Sequence, residues 1–200
     1  MSKIAVTEHP IAKVLSDRWS PYAFDERPVA DEDPRCLFEA ARLAASAFNE
    51  QPWLYLVARR SDGEAYDGIL SCLVEANQAW ARAAPVLVLT IVAENYARNG
   101  KPNGSAPHDV GLAAGNLSAE ATARGLHLHQ MAGIEPERAR EIFAIPAGFR
   151  ALTATAIGYA ADPASLPDEM RGRETAPRTR RPLAETVFTG RWERPADVLG

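Results

Sequence analysis

The nine residues PVLVLTIVA, 85–93, constrain the fold more than any other stretch of the chain. They are almost entirely apolar and rich in β-branched side chains, a composition typical of a buried strand. The run is far too short to cross a bilayer. A second apolar run, WLYLVA at 53–58, predicts another buried strand. Two such strands need further elements packed against them, which favours a small sheet covered by helices.

Helical patterns alternate with strand patterns, but not in a regular strand–helix–strand series. Residues 31–47 predict a helix that Asp33 caps, with Pro34 in its first position. Its apolar side chains continue at helical spacing as far as Phe48. The other predicted elements are helices over 63–84 with one break, 108–125 and 135–143, strands over 126–131 and 151–160, and a loop over 94–107. We therefore predict one α+β domain over residues 1–200, in which the Pro- and Arg-rich stretch after Pro163 has no core pattern.

Bulk properties exclude several classes of protein. The chain has 200 residues and a formal net charge of −4, so its overall charge does not suit nucleic-acid binding. Two cysteines, Cys36 and Cys72, are too few for a disulfide framework and are typical of a reducing compartment, with a single bridge left open. The N-terminus lacks the apolar region of a signal peptide. We predict a cytoplasmic protein with no membrane segment.

The stretch DRWSPYAF, residues 17–24, carries a candidate phosphate site. Arg18 offers a cationic fork and Ser20 a hydroxyl donor. The alternative is a solvated surface segment, because Arg-x-Ser triplets are common.

The stretch SAFNEQPW, residues 46–53, places two carboxamides and a hydroxyl between a helix and a buried strand. Asn49 and Gln51 each offer donors and an acceptor, which suit the edge of a planar heterocycle. Ser46 adds a third polar group. The alternative is helix capping and turn formation by Asn49, with Trp53 in the core.

Three further stretches are polar or open at strand and helix ends. EANQAW at 75–80 again places Asn and Gln beside Trp. HQMAGIEP at 129–136 predicts a turn between a strand and a helix. Its backbone N–H groups are available to bind a ligand, or the turn is a plain strand–helix connection. RTRRP at 178–182 has the composition of a solvated basic segment.

His127 and His129 share a strand face but have no neighbouring carboxylate or thiol in sequence, so no metal site is predicted.

The helix over 108–125 has one face of small side chains, formed by Gly111, Gly115, Ser118 and Thr122. Another backbone can approach such a face closely. The face therefore predicts either a tight contact inside one protomer or a helix in a subunit interface.

Taken in order, these stretches resemble the nitroreductase family of FMN-dependent oxidoreductases, and its flavin reductase-like branch most. Residues 17–24 resemble the family's Arg-x-Ser-x-x-x-Phe segment, and 39–53 its Ala-Pro-Ser-x-x-Asn-x-Gln-Pro-Trp segment. Residues 108–126 resemble its long central helix, and 132–160 its turn, helix and final strand. Two positions depart from the pattern, with Ala45 where the family usually has Pro and Tyr22 where it commonly has Arg or Lys.

The resemblance implies a mostly antiparallel sheet in an intertwined homodimer, with residues 165–200 wrapping the partner subunit. It also implies FMN at the subunit interface and hydride transfer from NADH or NADPH through flavin N5 to a nitroaromatic, quinone or free flavin, with no catalytic side chain. The residues implied to bind the cofactor are Arg18, Trp19, Ser20, Tyr22, Ala45, Ser46, Ala47, Asn49, Asn77, Met131, Ala132, Gly133, Arg178, Arg180 and Arg181.

Three alternatives to this function remain open at the level of sequence. The first is other chemistry on the same scaffold, such as dehalogenation or dehydrogenation, because the loops near 60–75 and 95–107 shape the substrate pocket. The second is a non-catalytic flavin-binding protein. The third, a nucleic-acid module, rests only on the basic C-terminal stretch.

Overall fold

The computed structural model describes residues 3–199 as seven α-helices, four strands and short 3₁₀ turns. The helices are α1 Lys13–Asp17, α2 Glu32–Arg42, α3 Glu64–Ser71, α4 Glu75–Ala81, α5 Ala106–Ala123, α6 Pro136–Phe143 and α7 Asp168–Thr175. The strands are β1 Trp53–Arg59, β2 Val86–Ala93, β3 His127–Met131 and β4 Phe149–Gly158. The predicted strands and the break in the 63–84 helix are confirmed.

The four strands form one sheet in the order β1-β2-β4-β3, and every neighbouring pair is antiparallel. β2 lies in the interior of the sheet, where Leu89 pairs with Leu56 of β1 and with Ala154 of β4. β1 and β3 are the two edges. The predicted α+β class with a small antiparallel sheet is therefore confirmed.

Helices cover both faces of the sheet, which is why β2 is apolar along its length. Leu87 and Leu89 of β2 pack in a core that includes side chains of α3, α4 and α6. Val86 and Val88 point to the opposite face, in a second core with side chains of α2 and α5. Alternate side chains of one strand thus enter two separate cores.

The helix predicted over 31–47 is shorter than expected. α2 ends at Arg42, and Asp33 lies inside its first turn rather than at the cap, which is Asp31. Phe48 does not continue the buried stripe: it is 69% exposed and has a left-handed φ of 55°. The residues after Arg42 instead form a bend and a 3₁₀ turn that leads into β1.

α5 is the longest helix, and its small-residue face is open. A Cβ atom added at Gly111 or Gly115 would meet no heavy atom of the described chain within 4 Å. A tight contact within the protomer is therefore ruled out at these two positions. Gly125 ends the helix with a φ of 74°, as its place in the sequence predicted. None of the helices between residues 3 and 199 has the length and apolar character needed to cross a bilayer.

The stretch after Pro163 contains a helix that the sequence did not predict, α7. Leu166 before this helix and Glu174 within it are buried. Part of this stretch contacts the N-terminal region of the same chain, since Glu174 binds the backbone of Tyr22 and Arg178 that of Ser16. Wrapping of the partner subunit by residues 165–200 stays a prediction.

Candidate functional site

Three arginines from the two ends of the chain lie close together. Arg18 follows α1, and Arg178 and Arg180 follow α7. Burial lowers the pKa of the Arg18 guanidinium, and the charges of Arg178 and Arg180 lower it further. Burial also lowers the pKa of Arg178, as does the charge of Arg180. The three guanidinium groups therefore concentrate positive charge, and each charge makes protonation of its neighbours less favourable.

Neutral groups hold this arginine cluster in place. Arg18 donates from Nη1 to the Ser20 hydroxyl at 3.2 Å. Arg178 donates from Nη1 to the carbonyl oxygens of Lys3 and Ser16 at 2.7 and 2.6 Å. Among the described residues, no ion pair within 4.0 Å joins any of the three guanidinium groups to a carboxylate. Guanidinium groups without carboxylate partners, next to a hydroxyl, suit a phosphate.

Trp19 and Tyr22 pack into an aromatic cluster next to the arginines. Trp19 is 5% exposed and meets the His127 ring edge-on at 5.4 Å between centroids. Tyr22 contacts His129 and Trp80 in the same way, at 4.6 and 5.2 Å. The Trp19 ring therefore has little free surface for a ligand. The side chains of Trp19 and Tyr22 pack against β3 and α4 and so anchor the 18–22 segment to the core.

The two histidines of β3 belong to this aromatic cluster. His129 Nδ1 lies 2.8 Å from the carbonyl oxygen of Pro21, and burial lowers the pKa of His129. Burial also lowers the pKa of His127, together with the positive charge of Arg18. Among residues 3–199, no group of three or more His, Cys, Asp or Glu side chains could hold a metal ion.

A sharp turn follows β3 at Ala132 and Gly133, beyond the buried Met131. The carbonyl oxygen of Gly133 accepts hydrogen bonds from the Val74 N–H at 3.1 Å and the Asn77 Nδ2 at 3.0 Å. A Cβ atom at residue 133 would lie 2.7 Å from Asn77 Nδ2, so any larger residue there requires the Asn77 side chain to shift. Within the described chain, the N–H groups of Ala132 and Gly133 have no backbone acceptor outside regular elements. These N–H groups are therefore available to a ligand or to a plain strand–helix connection, and their role in cofactor binding stays a prediction.

The SAFNEQPW stretch adopts a strained backbone at the start of β1. Phe48, Asn49 and Gln51 have left-handed φ angles of 55°, 58° and 49°. Such angles are costly for residues other than glycine and concentrate at functional sites. The Ser46 hydroxyl accepts the Gln51 N–H at 3.0 Å, and Gln51 Nε2 donates to the Asn49 carbonyl at 3.0 Å. Asn49 thus lies exposed in the 3₁₀ turn and Trp53 is in the core, as the turn alternative expected, and cofactor binding by Ser46 and Asn49 stays a prediction.

This strained segment lies far from the arginine cluster within one chain. The Ala47 N–H donates to Asp109 in the first turn of α5, whereas Ser118 of α5 meets Gln130 of β3. Asp109 lies about 14 Å before Ser118 along the helix axis, at 1.5 Å per residue. β3 begins at His127, four residues after α5 ends at Ala123, so going from Gln130 to His127 leads about 10 Å further away from Asp109, to the ring that packs beside Trp19. The two groups of predicted site residues are therefore on the order of 20 Å apart.

The remaining predicted residues are placed as follows. Ala45 is exposed in the bend after α2. Arg181 lines a surface cavity with Glu185, Phe188 and Trp192 rather than joining the arginine cluster. Sequence analysis also missed two carboxylates that hold the segments described above. These are Asp109, which accepts the Ala47 N–H at 3.0 Å, and Glu174, which accepts the Tyr22 N–H at 2.8 Å. The only sequence signal at Asp109 is its place near the start of the predicted 108–125 helix.

Comparison with known proteins places this site in a family. Residues 15–76 match the model of the nitroreductase family. A solved structure described as an oxidoreductase containing FMN is 36% identical, with a TM-score of 0.88, and the match covers 96% of this chain and 97% of that one. The chain belongs to the nitroreductase family. The resemblance inferred from the sequence motifs is therefore confirmed.

Other members of the nitroreductase family agree with this assignment. The major NAD(P)H-flavin oxidoreductase of Aliivibrio fischeri is 28% identical, over 76% of this chain and 88% of its own. A nitroreductase family protein from Clostridium difficile shares the fold at 21% identity, with a TM-score of 0.69 over 89% of this chain and 96% of that one. The nitroreductase-like fold is thus confirmed along nearly the whole chain.

Proposed function

We propose that this protein is an FMN-dependent oxidoreductase that takes hydride from NADH or NADPH and passes it to a small acceptor, such as a nitroaromatic, a quinone or free flavin. The observation that carries the proposal is the approach of Arg178 and Arg180 to Arg18, across most of the chain and with no ion pair to a described carboxylate within 4.0 Å. Relatives that are named for FMN and for NAD(P)H-flavin oxidoreduction support it.

The residues of this chain fit FMN at two separate points. The three guanidinium groups and the Ser20 hydroxyl are donors for a phosphate. The Ala132–Gly133 turn offers backbone N–H groups, and the absence of a Cβ at Gly133 lets Asn77 and Val74 pack against that backbone and hold it in place. Asn77 Nδ2 uses one of its two N–H groups on the Gly133 carbonyl, which leaves the carboxamide oxygen as an acceptor and the second N–H as a donor for a ligand.

A second copy of the chain completes the site in this proposal. Ser46, Ala47 and Asn49 lie about 20 Å from the arginine cluster of their own chain, so they serve the site of the partner. The open face of α5 around Gly111 and Gly115 supports this arrangement, because it leaves room for another backbone. The strained left-handed residues at 48 and 49 present backbone and side-chain groups outward at the place where the copies meet.

The chain supplies binding and orientation rather than acid–base chemistry. When bound, FMN supplies a ring system that accepts and returns hydride. Guanidinium groups neutralise the phosphate, and fixed N–H donors at Ala132 and Gly133 orient the ring edge. The buried aromatic cluster beneath residues 18–22 keeps these donors in place. No described side chain has to take up a proton for hydride transfer.

The test is an absorbance spectrum of the purified protein, followed by titration with NADH and NADPH under nitrogen. We expect a yellow protein whose heat-released cofactor migrates as FMN rather than FAD, because no dinucleotide fingerprint is present. We also expect bleaching of the flavin band by reduced nicotinamide. A protein that binds no flavin after reconstitution contradicts the proposal. A protein that binds FMN but does not oxidise NAD(P)H with any quinone or nitroaromatic is a flavin-binding protein without this activity.

A further inference from the structure

Glu174 is a carboxylate in an unexpected place. It is 1% exposed and is the only acidic residue of the C-terminal stretch that is buried among the described residues. It sits in the last turns of α7, between exposed neighbours, so packing of its own helix does not account for its burial. Buried carboxylates are rare unless they accept hydrogen bonds or pair with a cation.

The partners of Glu174 all belong to the N-terminal region of the chain. Its Oε2 accepts the Tyr22 N–H at 2.8 Å. Lys3 Nζ donates to the Glu174 carbonyl oxygen. Burial raises the pKa of the Glu174 carboxyl, opposed by the N–H of Tyr22, the charge of Lys3 and the N–H of Ala23. The side chain is therefore directed at the backbone that immediately follows Arg18 and Ser20.

Contacts on both sides of Glu174 tie the two halves of the arginine cluster together. Four residues after it, Arg178 donates to the carbonyl oxygens of Lys3 and Ser16. Four residues before Tyr22, Arg18 donates to Ser20. The Glu174–Tyr22 hydrogen bond thus joins two short segments, 18–22 and 174–178. Arg18 lies at the far end of the first segment and Arg178 at the far end of the second.

We propose that Glu174 is a positioning residue for the phosphate subsite: by accepting the Tyr22 N–H, its side chain fixes residues 18–22 against α7 and so holds Arg178 and Arg180 beside Arg18. This inference rests on the proposed FMN site, and it concerns the phosphate end of that site only. The role depends on a hydrogen-bond acceptor at this position and not on catalysis. Loss of the acceptor leaves the Tyr22 N–H buried without a partner and lets the 18–22 segment move away from α7.

The experiment compares the affinities of FMN and riboflavin, measured by quenching of flavin fluorescence. Riboflavin has the same ring and ribityl chain and lacks only the phosphate, so the ratio of the two affinities isolates the phosphate subsite. Glu174→Met removes the acceptor at similar length, and Glu174→Gln keeps an acceptor oxygen. Glu169→Met, an exposed glutamate on the same helix, is the matched control. Glu174→Asp, which withdraws the carboxylate by one methylene, replaces Glu174→Met if that variant does not fold.

We expect Glu174→Met to weaken FMN binding about ten- to a hundredfold while riboflavin binding changes less than about threefold. Glu174→Gln and Glu169→Met are expected to keep FMN affinity within about threefold of wild type. Equal losses of FMN and riboflavin affinity in Glu174→Met overturn the inference, because they indicate general damage. Unchanged FMN affinity in that variant overturns it as well.

A separate measurement distinguishes failure of this inference from failure of the proposed function. If the wild-type protein binds no flavin, the proposed function fails, and inorganic phosphate becomes the probe. Thermal unfolding of the wild type is then expected to shift upward with phosphate, and the shift is expected to vanish in Glu174→Met but not in Glu169→Met. The same phosphate-dependent shift in all three proteins contradicts a positioning role for Glu174.

Discussion

Asn77 and Gly133 lie 56 residues apart in sequence, and the Asn77 side-chain amide donates to the Gly133 carbonyl oxygen at 3.0 Å. An added Cβ at residue 133 would lie 2.7 Å from Asn77 Nδ2 and 2.9 Å from Val74 Cγ2, so a side chain there would force both neighbours to shift. The two residues therefore form one unit that shapes the turn after β3.

Gly133→Ala should weaken FMN binding and lower the free energy of unfolding by about 1–3 kcal/mol, the usual cost of overpacking. In an Asn77→Ala background, part of the clash is removed, so the same substitution should cost less. A double-mutant cycle by denaturant unfolding checks this coupling. Additive effects of the two substitutions contradict the proposed contact.

Arg18→Ala and Arg180→Ala should each weaken FMN binding about ten- to a hundredfold, since a charge-assisted hydrogen bond to phosphate contributes roughly 1.5–3 kcal/mol. Arg173→Ala is the matched control, because Arg173 is exposed on α7 and pairs with Glu169. Equilibrium titration of apoprotein with FMN measures the effect. Unchanged affinity in both cluster variants, at the level of the control, means that the phosphate binds elsewhere.

The elements that the sequence predicted are those whose signal is local. The apolar run at 85–93 lies in an interior strand, and the open Gly111 face of α5 is visible in the residue spacing alone. The end of α2 was wrong because helical spacing continues to Phe48. Contacts with the 94–107 loop hold the Phe48 side chain away from the core. The Arg98 guanidinium lies 3.6 Å from the Phe48 ring centroid, and Glu50 accepts the Ala97 N–H at 2.7 Å.

The part of the site that the sequence could not predict depends on long-range contacts. Glu174 lies in the polar stretch RGRET, where nothing in the sequence indicates burial. Its acceptor role involves an N–H that is 152 residues away. Arg18 and Arg180 were assigned to one phosphate only through the family resemblance, because no local signal in the sequence brings residues so far apart together.

Gly115→Leu should convert the proposed homodimer to monomer without destabilising the chain. No described atom lies within 4 Å of an added Cβ, and replacing Gly by Leu inside a helix favours the helix by about 1 kcal/mol. The larger side chain should nevertheless block close approach of a partner backbone. Analytical ultracentrifugation checks the oligomeric state, with Gly115→Ala as a milder control. A Gly115→Leu protein that remains a tight, FMN-loaded dimer contradicts the proposed interface.

No cysteine or histidine near the site should be essential for reduction of the flavin. Cys72 is a buried free thiol whose Sγ contacts the Gly68 carbonyl, and His129 is held against the Pro21 carbonyl. Single substitution of Cys36, Cys72, His127 or His129 should leave anaerobic reduction by NAD(P)H within about tenfold of wild type, equivalent to ~1.4 kcal/mol. Stopped-flow bleaching of the flavin band in folded, FMN-loaded variants measures this. A loss of several hundredfold in one variant indicates a chemical role for that side chain.

Glu174→Gln should change the pH dependence of stability in one direction. Burial raises the pKa of Glu174 above its ordinary value of 4.5, so the folded protein holds this proton more tightly than the unfolded chain does. The wild-type contribution is therefore fully present below pH 4.5 and is lost as the pH rises through the folded pKa. Glutamine has no such titration, so the stability of Glu174→Gln relative to wild type should increase across that window and then stay constant. Urea unfolding from pH 4 to 8 measures the difference in free energy of unfolding between Glu174→Gln and wild type, with exposed Glu169→Gln as control. The titrations of His127 and His129 cancel in this difference because both proteins contain them. A difference that falls with rising pH shows that the carboxylate is stabilised in its charged form, contrary to its buried position.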